Sequence, residues 1–185
     1  MENLIEMKIT KMAADPLLNT PVLLLEGKGP NSHLSLPIWI GTFEAHSIAV
    51  ALHPPQGISR PLPYDIIKEI LDMVPNMRLE KVVITDLRDN IFFAKMIFGV
   101  GLNANFMEQD ARPSDAIATA VRTGSPIFVA ESVFRKADRP GARPEKRAES
   151  RPDSQPESDA QKVAEDPDVQ NWLEGLKPED FESET

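Results

Sequence analysis

The chain has 185 residues, 20 Lys+Arg against 29 Asp+Glu, three His and no Cys. Without Cys there can be no disulfide, no thiolate zinc site and no Cys nucleophile, and three His are too few for a His-rich metal cage. The length fits one domain with an appendage, and the charge is uneven: residues 1–136 hold 13 Lys+Arg against 15 Asp+Glu, a net of −2, whereas 137–185 hold 7 against 14, a net of −7.

The near-neutral first part carries no basic footprint for nucleic acid, so a phosphate-bearing partner would need a local basic patch or a divalent ion. No basic-then-apolar leader opens the sequence and no apolar run could span a bilayer, so a cytoplasmic protein with no membrane partner is expected.

In chain order, residues 7–12 alternate and predict a strand. Turn formers Asp15, Pro16 and Asn19 precede 21–25, an apolar run expected to be a strand buried on both faces. Gly27, Gly29, Pro30 and Asn31 predict a turn. A third strand covers 34–40, and Pro37 marks it as an edge or a bulge. A helix over 44–52 presents Ala45, Ile48, Ala49 and Leu52 as one apolar face, and Pro54-Pro55 stops it. A second helix over 64–74 is expected to bury Ile66, Ile67, Ile70, Leu71 and Val74, with Lys68, Glu69 and Asp72 towards water. A hairpin follows, with strands over 81–87 and 91–98 about a turn at Arg88-Asp89-Asn90. Another strand spans 103–109, a helix spans 114–121 and a last strand 127–130.

The halves repeat one order, three strands and then a helix. The fold class is therefore α+β: a duplicated β-β-β-α unit forming a mixed or antiparallel sheet with packed helices. The repeat would place the two helix starts, 41–44 and 110–113, at equivalent positions, with a cleft between them as the first place to look for a site.

The stretch 110–129 is the densest in signals. Pro113 suits the first turn of a helix, Ser114 or Asp115 could cap it, and Gly124 with Pro126 beyond would end it. Asp110, Arg112 and Asp115 crowd its start, beside N–H groups that favour anions. Spacing leaves two readings open: a capped helix with an Arg–Asp pair, or a phosphate or metal site. Asp86, Arg88 and Asp89 sit at the hairpin, where Asp is ordinary turn chemistry. Arg60 and Asp65 are expected to pair across the start of the second helix. His46 is expected at the surface, and His33 and His53 in turns.

Beyond the domain over 1–135, residues 136–166 are rich in Pro and charge and predict a disordered linker. In the acidic tail over 167–185, Val169, Trp172, Leu173 and Leu176 share a helical face. They suggest either a frayed end or a short helix that docks on this domain or a protein partner.

Four stretches, 36–45, 60–62, 82–89 and 110–116, with 118–129 beyond them, resemble the bifunctional nuclease domain over roughly residues 4–135. The resemblance implies a domain that self-associates into a homo-oligomer. It also implies nuclease activity on DNA and RNA, as credited to plant relatives; the alternative is a non-enzymatic oligomeric binding or regulatory module using the acidic tail. By the motif match Glu44, Asp110 and Asp115 would be base or ligands to Mg²⁺ or Mn²⁺, and Arg112 a phosphate clamp. The chain departs from the family pattern where Thr-His becomes Pro63-Tyr64. A role held by that His is then absent, or passes to a phenol of ordinary pKa about 10.

Overall fold

The computed structural model describes residues 3–15, 17–54, 60–101 and 105–137. These belong to the first of two units, 1–145; the second, 146–185, lies outside the described residues, as do the tail helix expected about Trp172 and the linker expected over 136–166, except that residues 136 and 137 are described and are helical.

The described residues form strands β1 (Leu4–Asp15), β2 (Thr20–Gly27) and β3 (Ser35–Trp39), then helices α1 (Thr42–Leu52) and α2 (Pro63–Met73). Strands β4 (Met77–Arg88), β5 (Ile91–Val100) and β6 (Asn105–Ala111) follow, then helix α3 (Pro113–Thr123), strand β7 (Ile127–Ala130) and helix α4 (Glu131–Ala137). The strands make one mixed sheet in the order β3-β2-β1-β7-β4-β5-β6. Two antiparallel meanders thus flank β7, each with its first strand innermost, and each is followed by a helix. This is the β-β-β-α repeat expected from the sequence. Strand β7 runs parallel to β4 and antiparallel to β1, closing the meanders into one sheet.

Local chemistry sets the boundaries. Pro37 is tolerated because β3 is an edge strand, paired on one side with β2. Asp89 and Asn90 both adopt positive φ (49° and 62°), the backbone of a two-residue turn whose twist suits a hairpin. Gly124, at φ 70°, ends α3 in the left-handed conformation that costs a glycine little.

The core lies between the sheet and its helices: Leu23, Leu25, Ile38, Ile48, Val82, Ile84, Ile117 and Val129 are essentially inaccessible. Helix α3 packs on β4 and β5 with α1 and α2 to either side of it, and its small residues Ala116, Ala118 and Ala120 are all buried, which allows that close approach.

Three expectations need correction. Strand β2 is not buried on both faces: Leu23 and Leu25 are buried but Val22, Leu24 and Glu26 only partly so, the alternation of a sheet covered mainly on one side. In α1, Ala45 and Ile48 are buried but Leu52, in the last turn, is exposed. In α2 the stripe faces outward: Leu71 is buried, whereas Ile66, Ile67, Ile70 and Val74 are all exposed. Helix α4 was not expected, being seven residues rich in charge; it forms because Val133 is fully buried and Lys136 reaches Asp86. No helix among the described residues is long and apolar enough to cross a membrane.

Candidate functional site at three helix starts

Each of α1, α2 and α3 carries an acid at its third position: Glu44, Asp65 and Asp115. An acid there lies against free N–H groups and the positive end of the helix. Asp65 shows the consequence most plainly, its Oδ2 accepting the Leu62 N–H at 2.7 Å. Glu44 folds back over Gly41, the residue that caps α1; a Cβ built on Gly41 would lie 2.2 Å from Glu44 Oε2. The backbone at Gly41 (φ −69°, ψ 158°) is open to any residue, so what its missing Cβ leaves room for is this pose of the Glu44 carboxylate.

Arg112 joins α3 to α1. It is the N-cap residue of α3 and makes no side-chain cap bond, and Ser114 and Asp115, the caps expected from the sequence, lie within the first turn of the helix. The Arg112 Nε–H donates to Asp115 Oδ2 at 2.7 Å, while Nη2 donates to Asp115 Oδ1 at 3.1 Å and to Glu44 Oε1 at 2.8 Å. Bonding to Asp115 first, and the charges of Asp115 and Glu44 with it, hold the guanidinium yet more firmly protonated against the opposing effect of burial.

Tyr64, in the first turn of α2, donates its phenol O–H to Asp115 Oδ1. Burial, that hydrogen bond, and the charges of Asp115 and Glu44 push the phenol well above its ordinary value, Arg112 only partly offsetting them. At neutral pH Tyr64 is therefore a hydrogen-bond donor and cannot be a base. Behind it lies Arg122, whose side chain is only 4% exposed. Arg122 donates to Asp65 Oδ1 at 2.5 Å, to Ser47 Oγ at 3.0 Å, and to the carbonyls of Ser47 and Ala118, with its guanidinium 5.6 Å from the Tyr64 ring centre. The partner expected for Asp65 was Arg60; the structure gives it Arg122. Sequence reading passed over Arg122, although its signal was present: it lies seven residues after Asp115, on the same face of a helix otherwise made of small residues.

The cluster therefore unites Glu44, Tyr64, Arg112 and Asp115, and the expected trio of metal ligands is not assembled. Asp110 lies exposed on the edge strand β6, opposite Lys95 in register. Among the described residues no three of His, Asp and Glu gather closely enough to hold a metal ion. The two acids that do meet are spanned by Arg112, so the donors as they stand do not fit a divalent cation, which needs several oxygens free to converge on it. Asp86 and Arg88 pair with each other, and Lys136 of α4 also bonds Asp86; that contact, Arg88 and the Leu87 N–H hold the Asp86 carboxyl far below the usual range. This is a structural tie between β4 and α4. His33, His46 and His53 are all exposed.

Two uncharacterised proteins of Mycobacterium tuberculosis, from strains H37Rv and CDC 1551 / Oshkosh, are each 36% identical to this chain over 135 residues, covering 71% of it and 75% of their own length. The family model of the bifunctional nuclease domain matches residues 22–141, a span that holds all four members of the cluster. By that match, the chain belongs to the bifunctional nuclease domain family.

Proposed function

We propose that this protein hydrolyses phosphodiester bonds in DNA or RNA at the cluster of Glu44, Tyr64, Arg112 and Asp115. The observation that carries the proposal is the layering of charge. The Arg112 side chain is outermost at 69% exposed, above Glu44 at 15% and Asp115 at 28%. An incoming phosphodiester meets the cation before it meets the acids, and three helix starts add positive partial charge behind it.

The guanidinium fork that now holds carboxylate oxygens matches two non-bridging phosphate oxygens equally well. Exchange of carboxylate for phosphate on Arg112 releases Glu44 to accept a proton from the attacking water. Arg112 then neutralises charge developing on the phosphorus oxygens, the proton taken up by Glu44 passes to the leaving oxygen as its bond to phosphorus breaks, and Tyr64, its one O–H given to Asp115, holds that carboxylate in place. Asp115 orients both Arg112 and Tyr64. These roles rest on the side chains alone; Asp110 has none.

The test is cleavage of labelled single-stranded DNA and RNA by the full chain, with Mg²⁺, with Mn²⁺ and with EDTA. Arg112→Ala and Glu44→Gln are expected to lower the rate at least about 100-fold, the scale of losing a charge clamp or a general base, and Asp110→Asn to stay near wild type. A second reading, a non-enzymatic binding module, is favoured by the saturation of the acids: both Asp115 oxygens and Glu44 Oε1 already accept bonds. Absence of cleavage in every arm would refute the hydrolase and leave the module.

A further inference from the structure

Phe43 stands in the first turn of α1 and is 89% exposed, the highest value of any large apolar residue among those described. The fold gives it no task. Ala45, two residues on and so about 200° round the helix, is buried, so Phe43 turns away from that side and is no part of the apolar cluster that fills the interior. Water against a bare aromatic face is unfavourable, and an acid at the same place would serve the helix start better.

Its neighbours do give it a task. Phe43 is joined to Glu44, their Cα atoms about 3.8 Å apart, and Glu44 Oε1 accepts from Arg112 Nη2 at 2.8 Å. A bare aromatic therefore stands beside an exposed guanidinium fork. An aromatic face stacks a base and a guanidinium binds a phosphate, the two halves of a nucleotide in a single strand.

We infer that Phe43 is a base-stacking residue that selects single-stranded nucleic acid, holding the base next to the phosphodiester that Arg112 binds. The inference rests on the reading of Arg112 as a phosphate clamp and names the substrate class for it. Charge points to the same class. Duplex binding draws on many cation–phosphate contacts, whereas residues 1–136 carry a net of −2, and Lys8, Lys28, Lys68 and Lys95 are each paired with an acid. A duplex also keeps its bases stacked on one another, leaving Phe43 only sugar and phosphate to touch. A single strand offers a free face, and stacking adds affinity that needs no net charge. Every base has such a face, so DNA and RNA are both accepted and sequence matters little.

The test is binding by the full chain, followed by fluorescence anisotropy, of a short labelled single-stranded DNA whose phosphorothioate linkages resist cleavage. Phe43→Ala is expected to weaken binding about 5- to 150-fold, the range of base–aromatic stacking. It should leave the slope of log K against log salt unchanged, whereas Arg112→Ala flattens that slope. Phe43→Trp, with a larger face, is expected to bind at least as tightly as wild type, and Phe43→Leu, apolar without a face, to lose most of what Phe43→Ala loses. An abasic oligomer of the same length and a duplex should bind weakly and be indifferent to residue 43. Phe106→Ala, the same substitution at the other end of β6 from Arg112, should change nothing, and circular dichroism checks that each variant is folded. Equal binding by wild type and Phe43→Ala, an equal loss on the abasic oligomer, full retention by Phe43→Leu, or no binding by wild type would each overturn the inference. Cleavage separates it from the hydrolase reading. Binding that depends on Phe43 without cleavage in any arm refutes the hydrolase alone and leaves a single-strand-binding site. Cleavage with binding indifferent to residue 43 refutes the role of Phe43 alone.

Discussion

Asp65 and Arg122 form one ion pair but are not equally buried, and removing either should have unequal cost. The Arg122 side chain is 4% exposed and that of Asp65 is 37%. Asp65→Ala leaves a guanidinium in the interior with only neutral acceptors, Ser47 and Ala118, and exposes the Leu62 N–H that the carboxylate had capped. Stranding a buried charge costs about 3–5 kcal/mol. Arg122→Met removes the charge, keeps most of the stem volume, and leaves Asp65 near enough to water to be rehydrated while still capping α2. The loss is then a few hydrogen bonds, about 1–2 kcal/mol. The double variant should be more stable than Asp65→Ala alone, because the stranded charge is gone.

The assay is urea unfolding of the four proteins at one fixed protein concentration, read by circular dichroism, with equal m-values as the check on two-state behaviour. Acid supplies a second axis. Burial alone would raise the Asp65 carboxyl, but bonds from Arg122 and the Leu62 N–H, with the Arg122 charge, bring it below the ordinary value. A depressed folded pKa contributes stability that is fully present above the unfolded value, about 3.9, and is lost as pH falls through the folded one. Wild type should therefore lose more stability below pH about 4 than Arg122→Met does. If Asp65→Ala costs no more than Arg122→Met, the claim that burial of the cation dominates is wrong.

Two further predictions address the cluster. Tyr64 is the chain's only tyrosine, so ultraviolet titration near 295 nm reads its phenol alone; the midpoint is expected above the ordinary value of about 10, and one at or below it would show that the Asp115 contact does not form in solution. With the folded pKa raised, this contribution to stability is present at neutral pH and lost as pH rises through the folded value, so Tyr64→Phe should flatten the alkaline limb of the stability profile. Gly41→Ala should cost only about 0.5–1 kcal/mol as a change of cap, yet it must push aside the Glu44 carboxylate, 2.2 Å from the new Cβ. Cleavage should fall at least about tenfold with the fold kept; unchanged cleavage would remove Glu44, in its present pose, from the mechanism.

The order of elements was legible in the sequence because it depends on local chemistry. Period-2 and period-3.6 patterns marked the strands and helices, Pro37 marked an edge strand, Asp89-Asn90 a tight hairpin, and Gly124 the end of α3. The repeat of three strands and a helix followed from that order, and the sheet, with β1 and β4 either side of β7, agrees with it. Helix α4 escaped because a single buried Val133 among charged neighbours makes no periodic signal.

Direction and partnership needed the tertiary structure. The apolar stripe of α2 reads the same in sequence whether it faces its own core or another molecule, because periodicity fixes an angle about the helix and not what lies beyond it. The charged motif about Arg112 was visible, but not its composition. Asp110 is five residues from Asp115 yet ends up on an edge strand, since the chain turns from strand to helix between them, whereas Glu44, 68 residues before Arg112, is brought within 2.8 Å of it by the packing of α1 on α3. Closeness along the chain constrains side chains only within one element; across a turn or between helices, the packing of the core decides which charges meet.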